Sequence, residues 1–208
     1  MAQQVNEMAG AIQRKPPRMS VELFRAFYAT RPDEERWELI DGAAIMMTPP
    51  TLAHQMIAGN LQLLLFSALD DHAPELTVCQ RLGINIGPSV ADYDPEPDVA
   101  VIDADAAHDP NRRYADRFYL AAEIVSASDR AWSEKKREIY KLHATCKCIL
   151  TVQQDRFEVR VDLRTDDGWA ERVLTRPADV LALADFGLHC TVEDLYGGTA
   201  LKPRRPKR

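Results

Sequence analysis

Two nearly continuous apolar runs, Val99-Ala100-Val101-Ile102 and Phe118-Tyr119-Leu120-Ala121-Ala122-Glu123-Ile124-Val125, constrain this chain more than any other feature. A strand with one face in water alternates apolar and polar residues, whereas a run without alternation fits a central strand covered on both faces. Such strands need a layer above and a layer below, and the flanking segments supply them. From about residue 51 to residue 71, Met56, Ile57, Leu61, Leu64, Leu65 and Leu69 stand three and four apart and form one buried helical stripe. A second helix reads over residues 131–145, and a short one follows Ser20 as N-cap, with Leu23, Phe24 and Phe27 at helical spacing and Pro32 marking its end.

The remaining elements are strands. Trp37-Glu38-Leu39-Ile40, then Asp41-Gly42, then residues 43–47 read as a hairpin, because Asp-Gly tolerates the positive φ angles of a type I′ turn. One strand is expected around Val78 to Ile86, followed by a loop at 87–96, and a polar loop of about fifteen residues separates the two apolar runs. Further strands read at 148–152, 157–163 and 170–174, and Thr191 with Asp194 resembles a capping box for a last helical turn. The expected fold class is α/β, a mixed β-sheet flanked by helices, without internal repeats. Residues 1–18 read as a loose N-terminal arm, 19–198 as the domain and 199–208 as a basic, flexible tail.

Composition bounds the function. A chain of 208 residues, 46% hydrophobic and 28% charged, fits one globular domain that needs neither disulfides nor a structural metal to fold. Cys79, Cys146, Cys148 and Cys190 show no CxxC or Cys/His ligand spacing, so free thiols and a cytoplasmic location are expected. The longest apolar stretch, 61–69, is broken by Gln62 and Ser67, and no membrane span is expected. The net charge of −6 argues against a protein that coats nucleic acid by bulk charge, although the last seven residues carry five positive charges.

Three carboxylates stand where apolar residues are expected. Glu38 lies between Trp37 and Leu39, Asp98 opens the strand 99–102, and Glu123 interrupts the run 118–125. Burying an ionised carboxylate without a partner costs several kcal/mol, so each needs a cation, a metal or hydrogen-bond donors. A salt bridge or a solvated strand end would also satisfy them. The second helix carries candidate cations: on a wheel of about 100° per residue with Ile139 at zero, Trp132 falls near +20°, His143 near +40°, Leu142 near −60° and Tyr140 near +100°. Lys135 then stands at roughly −40° and Lys136 at roughly +60°, both flanking the stripe, while Arg137 at roughly +160° points away. The wheel does not choose between the lysines, and either one can instead snorkel to solvent. Carboxylates from adjacent strands with a nearby lysine suit Mg²⁺-assisted phosphodiester hydrolysis, because Mg²⁺ takes one or two carboxylates, waters and phosphate oxygens. Arg112, Arg113 and Arg117, before the Glu123 run, are candidates for phosphate contact or plain loop residues.

The ordered series Trp37-Glu38-Leu39-Ile40-Asp41-Gly42, Thr48-Pro49-Pro50 with His54, Pro97-Asp98-Val99-Ala100-Val101, and Glu123-Ile124-Val125-Ser126-Ala127-Ser128 followed by Lys136 and Tyr140 resembles the Uma2 family, restriction-endonuclease-like proteins of the PD-(D/E)XK nuclease superfamily. The resemblance runs from about Ser20 to Tyr196. It implies a restriction-endonuclease-like mixed sheet, Asp98 and Glu123 as metal-binding acids, Glu38 as a further catalytic acid, and Lys136 rather than Lys135 as the catalytic lysine, since the family places a lysine four residues before a tyrosine. The superfamily's usual lysine, two residues after the second acid, is replaced here by Val125, and Gln153 stands where the family has an aspartate. His54 and Lys135 are accessory candidates; His54 reads as a helix-start residue or as a partner for an acid or DNA. The implied activity is a Mg²⁺-dependent DNA endonuclease with Mn²⁺ as substitute, no organic cofactor, DNA as partner and a homodimer by analogy. A nuclease-fold module that binds nucleic acid or protein without cutting is the alternative.

Overall fold

The computed structural model describes residues 18–87, 90–126 and 130–204. Residues 1–17 of the expected arm, Ala127 and Ser128 of the family motif, and 205–208 of the expected tail lie outside the described residues. Helix α1 (Val21–Tyr28) starts at Ser20, whose Oγ accepts the Leu23 N–H at 3.3 Å. Strands β1 (Trp37–Ile40) and β2 (Ala43–Met46) form the antiparallel hairpin, and Asp41 (φ 55°) and Gly42 (φ 74°) make the expected left-handed turn. Helix α2 (Leu52–His72) follows, capped by the Thr51 side chain. It is long and apolar enough by length and composition to cross a membrane, yet its Ile57, Leu61, Leu65 and Leu69 pack into the core.

A six-stranded sheet forms the centre, built from β3 (Leu76–Cys79), β5 (Val99–Asp103), β7 (Phe118–Val125), β8 (Cys148–Gln153), β9 (Val159–Thr165) and β10 (Gly168–Leu174), in which β4 (Gly83–Ile84) and β6 (Tyr114–Ala115) take no part. Its order is β10-β9-β8-β7-β5-β3, with β7 and β8 parallel and every other neighbouring pair antiparallel. A parallel pair needs a crossover, and α3 (Arg130–Leu142) supplies it between β7 and β8. The two apolar runs are central strands, as expected, and they bury both faces. Val99, Val101, Leu120, Ala122 and Ile124 join a core with α2, the hairpin β11 (Val180–Leu183) and β12 (Leu188–Thr191), and the short α4 (Val192–Leu195). Ala100, Ile102, Phe118 and Ala121 face a smaller core with Tyr140 of α3.

Several local readings change. The strand expected from Val78 to Ile86 is two strands: Arg81 adopts φ 54°, so β3 stays in the central sheet while β4 leaves it to pair in parallel with β6. For the same reason the polar loop between the apolar runs holds β6 and a 3₁₀ helix, Ala104–His108. Sequence periodicity assigns no element to residues 175–190, where each strand of the β11–β12 hairpin has only two buried alternations to show.

The buried face of α3 is the most consequential difference. It is centred on Tyr140 rather than Ile139, and comprises Ser133, Lys136, Arg137 and Tyr140, while Leu142 is 64% exposed. Arg137, expected to point away, is buried against Asp162 of β9, with Nε 2.6 Å from Oδ2. At the C-terminus Thr191 and Asp194 form the expected capping box. Beyond it the Thr199 hydroxyl donates to the Tyr196 carbonyl at 2.7 Å, and the Gly198 N–H bonds the Lys202 carbonyl at 2.8 Å. Packed structure therefore reaches Lys202, past the boundary read at 198.

Candidate active site

Alternation along β7 decides where Glu123 points: it follows Ala121 on the face covered by α3, where an apolar residue would complete the smaller core. Lys136 and Tyr140, one helical turn apart on α3, meet it there. The Lys136 ammonium lies 2.7 Å from Glu123 Oε1 and 2.8 Å from Oε2, and Tyr140 donates its hydroxyl to Oε1 at 2.7 Å. Glu38, on β1, approaches from the other side. Its Oε1 accepts from Lys136 at 3.2 Å, and its Oε2 is 2.9 Å from the ammonium but out of hydrogen-bond alignment. The Glu96 carbonyl, 3.4 Å away, is a further acceptor for the lysine.

Glu38 is held at this depth by a second tier of contacts. Leu39 bridges Asp94, whose N–H donates to the Leu39 carbonyl at 2.9 Å, and the Asp94 carboxylate is clamped by Arg25 of α1 at 2.7 and 3.1 Å. Asp98 enters just before β5. Its Oδ2 accepts the Ile124 N–H at 2.8 Å, which ties it to the residue after Glu123, and is 3.0 Å from His54 Nε2 on α2. Both bonds fall on Oδ2, which leaves Oδ1 without a donor among the described residues.

Burial sets the electrostatics. Loss of hydration pushes the Glu123 carboxyl up to about 8; Lys136 works against this, while Asp98 and Glu38 reinforce it. Glu38 is raised by burial too, again opposed by Lys136. Glu96 is raised to about 7 by burial and by Glu38. Burial pulls Lys136 down, but Glu123, Glu38 and Asp98 outweigh it and hold the ammonium above its ordinary value. The Tyr140 hydroxyl is held well above its own by burial and Glu123.

The structure thus brings Glu38, Asp98, Glu123, Lys136 and His54 into one cluster. Lys135 is elsewhere: it pairs with Asp41 at 2.8 Å and lies 5.0 Å from the Trp132 ring centroid. Arg117 pairs with Asp103 at 2.8 Å, and Arg112 and Arg113 are exposed. Sequence reasoning did not foresee the parts played by Tyr140, Glu96, Asp94 and Arg25. The four-residue spacing of Lys136 and Tyr140 carried a signal for the first, and an acid set between Pro95 and Pro97 for the second.

Among the described residues, no group of three or more His, Cys, Asp and Glu side chains is arranged as a metal-binding set. Mg²⁺ does not require one, since it is held by one or two carboxylates and completes its shell with water and phosphate. The donors present fit it: hard oxygens, an Asp98 Oδ1 without a donor among the described residues, a Glu38 Oε2 buried without a hydrogen bond, and two acids on one lysine.

A family model described as "Uma2: Putative restriction endonuclease" matches residues 21–193. The crystal structure of a protein described as a putative nuclease belonging to DUF820, from Anabaena variabilis ATCC 29413, has a similar fold. It superposes with a TM-score of 0.66 at 16% sequence identity, over 86% of this chain and 97% of that one. No curated protein matches.

Proposed function

Because this chain belongs to the Uma2 family and has a restriction-endonuclease-like fold, we propose that it is a Mg²⁺-dependent endonuclease that hydrolyses phosphodiester bonds in DNA. The observation that carries this reading is the Lys136 ammonium, buried between Glu38 and Glu123 beside Asp98. Asp98 and Glu123 would hold the ion, which when bound offsets phosphate charge and lowers the pKa of a coordinated water. Asp98 offers Oδ1 because His54 and the Ile124 N–H fix Oδ2. Tyr140 orients Glu123 and leaves its lone pairs partly free.

Lys136 supplies positive charge where negative charge develops on the phosphate, or orients the attacking water. Glu38 holds the ammonium from the opposite side, so the cation is preorganised in a site that excludes bulk water. A lysine reaching in from α3 thereby takes the place of the one absent at Val125. Cutting both strands of a duplex calls for two such sites, and a homodimer is the proposed working form.

Purified protein with Mg²⁺ or Mn²⁺ is expected to cut single-stranded, double-stranded or branched DNA. Asp98→Ala and Lys136→Ala should each lower the rate at least a hundredfold. Wild-type protein that cuts none of the three substrates would overturn the assignment.

A further inference from the structure

A cavity of about 510 Å³ opens between the start of α2 and the β3–β4 turn, and ends on Asp98. His54, Gln55, Gly59, Gln80 and Arg81 are on its walls. Two features of these walls bear on what the cavity can hold. Arg81 is a non-glycine residue in the left-handed region, φ 54°, a conformation that costs energy for any side chain with a Cβ. Its N–H bonds the Pro97 carbonyl at 3.2 Å, fixing it to the residue before Asp98, and its exposed guanidinium has no ion pair among the described residues. Gly59 stands in the interior of the 21-residue α2, where glycine weakens a helix, yet a Cβ there would meet no atom within 4 Å. The protein does not need the space; something approaching the helix backbone would.

We infer that this cavity takes the sugar-phosphate backbone of the nucleic-acid strand next to the bond being cut, with Arg81 on a phosphate, Gln55 and Gln80 as polar contacts and Gly59 leaving room for the strand. The inference rests on the nuclease reading above. The chemistry suits a phosphodiester chain: the walls offer a cation and amide donors, and the one acid among them, Asp98, is also a proposed metal ligand. An arginine fork matches phosphate oxygens, and a strained backbone fixed next to Asp98 sets its distance from the reacting group. Contacts of this kind position the strand without reading its sequence.

The experiment is DNA binding by fluorescence anisotropy on a labelled duplex, with Ca²⁺ in place of Mg²⁺ to prevent cutting, across a series of NaCl concentrations. Arg81→Gly relieves the left-handed strain, so its melting temperature should hold or rise, while affinity falls equally for unrelated sequences. The slope of log K against log salt should shrink by about 0.9, the value of one phosphate contact, and Arg81→Lys should keep it. Gly59→Leu, whose Cβ has nothing within 4 Å, should keep its melting temperature and lose at least tenfold in affinity. If the wild type binds duplex and both Arg81→Gly and Gly59→Leu bind with unchanged slope and affinity, the inference is overturned while the nuclease reading stands. A wild type that neither binds nor cuts DNA overturns both.

Discussion

Lys136 is 3% exposed, and its burial is tolerable only because two carboxylates and a backbone carbonyl surround it. Such an arrangement contributes little net stability, since removing three charged groups from water offsets most of their attraction. Taking away one member is another matter. Lys136→Met leaves Glu38 and Glu123 facing one another without a cation, and is expected to cost about 3–5 kcal/mol in metal-free urea denaturation. Replacing all three together, as Glu38→Gln, Lys136→Met and Glu123→Gln, should recover most of that loss, which would mark the cluster as kept for chemistry rather than for folding. Tyr140→Phe removes the 2.7 Å bond to Glu123 and should cost about 1.5–3 kcal/mol by the same measurement. The candidate acids were legible because Glu38, Asp98 and Glu123 interrupt apolar patterns where nothing local can pair them. The helix wheel alone did not choose between Lys135 and Lys136, since adjacent residues on a helix both border the stripe; the choice of Lys136 came from the family's lysine–tyrosine spacing, and the position of the strands beneath separates the two.

The same distinction between local and distant partners holds for whole elements. The β1–β2 turn and the strands β5 and β7 follow from neighbouring residues, whether Asp-Gly or an unbroken apolar run, and they form where expected. The buried face of α3 follows from partners far along the chain: Lys136 meets Glu38 98 residues away, and Arg137 meets Asp162 25 residues away. A wheel that ranks positions by hydrophobicity therefore rotates this helix onto Ile139 and leaves its polar, inward-facing side in water. Arg137→Met tests how firmly α3 is held to the sheet. Among the described residues Asp162 would keep only Lys141, 3.3 Å away, and the loss should be about 3 kcal/mol, read as a shift in the urea midpoint. The helix α2 offers the opposite case. Gly59→Ala adds a methyl group that meets nothing and removes the entropic cost of glycine, so it should stabilise the protein by about 0.5–1 kcal/mol.

At the scale of the molecule, the question is where the domain stops. Charge and proline content after residue 198 resemble a solvated tail, but composition does not register what folds back onto the body. Thr199 is buried, Leu201 packs against the main core, and Lys202 reaches Asp194 at 3.2 Å beside the capping box of α4. Asn60 of α2 binds the Leu195 and Gly197 carbonyls at 2.9 Å each, so this C-terminal turn is joined to the helix that carries His54 and Gly59. A chain ending at Arg204 keeps all of these contacts and should unfold at the wild-type urea midpoint. A chain ending at Gly198 loses the Thr199 hydrogen bond, the Gly198 N–H bond to the Lys202 carbonyl, the partial burial of Leu201 and the partly exposed Lys202 ion pair. Hydrogen bonds of this kind are worth about 1 kcal/mol each, a half-buried leucine about the same, and a partly exposed ion pair less than that, which sets the expected loss at about 3 kcal/mol. If the two truncated chains unfold at the same midpoint, the domain ends at 198; a lower midpoint for the shorter one alone places its edge at Lys202.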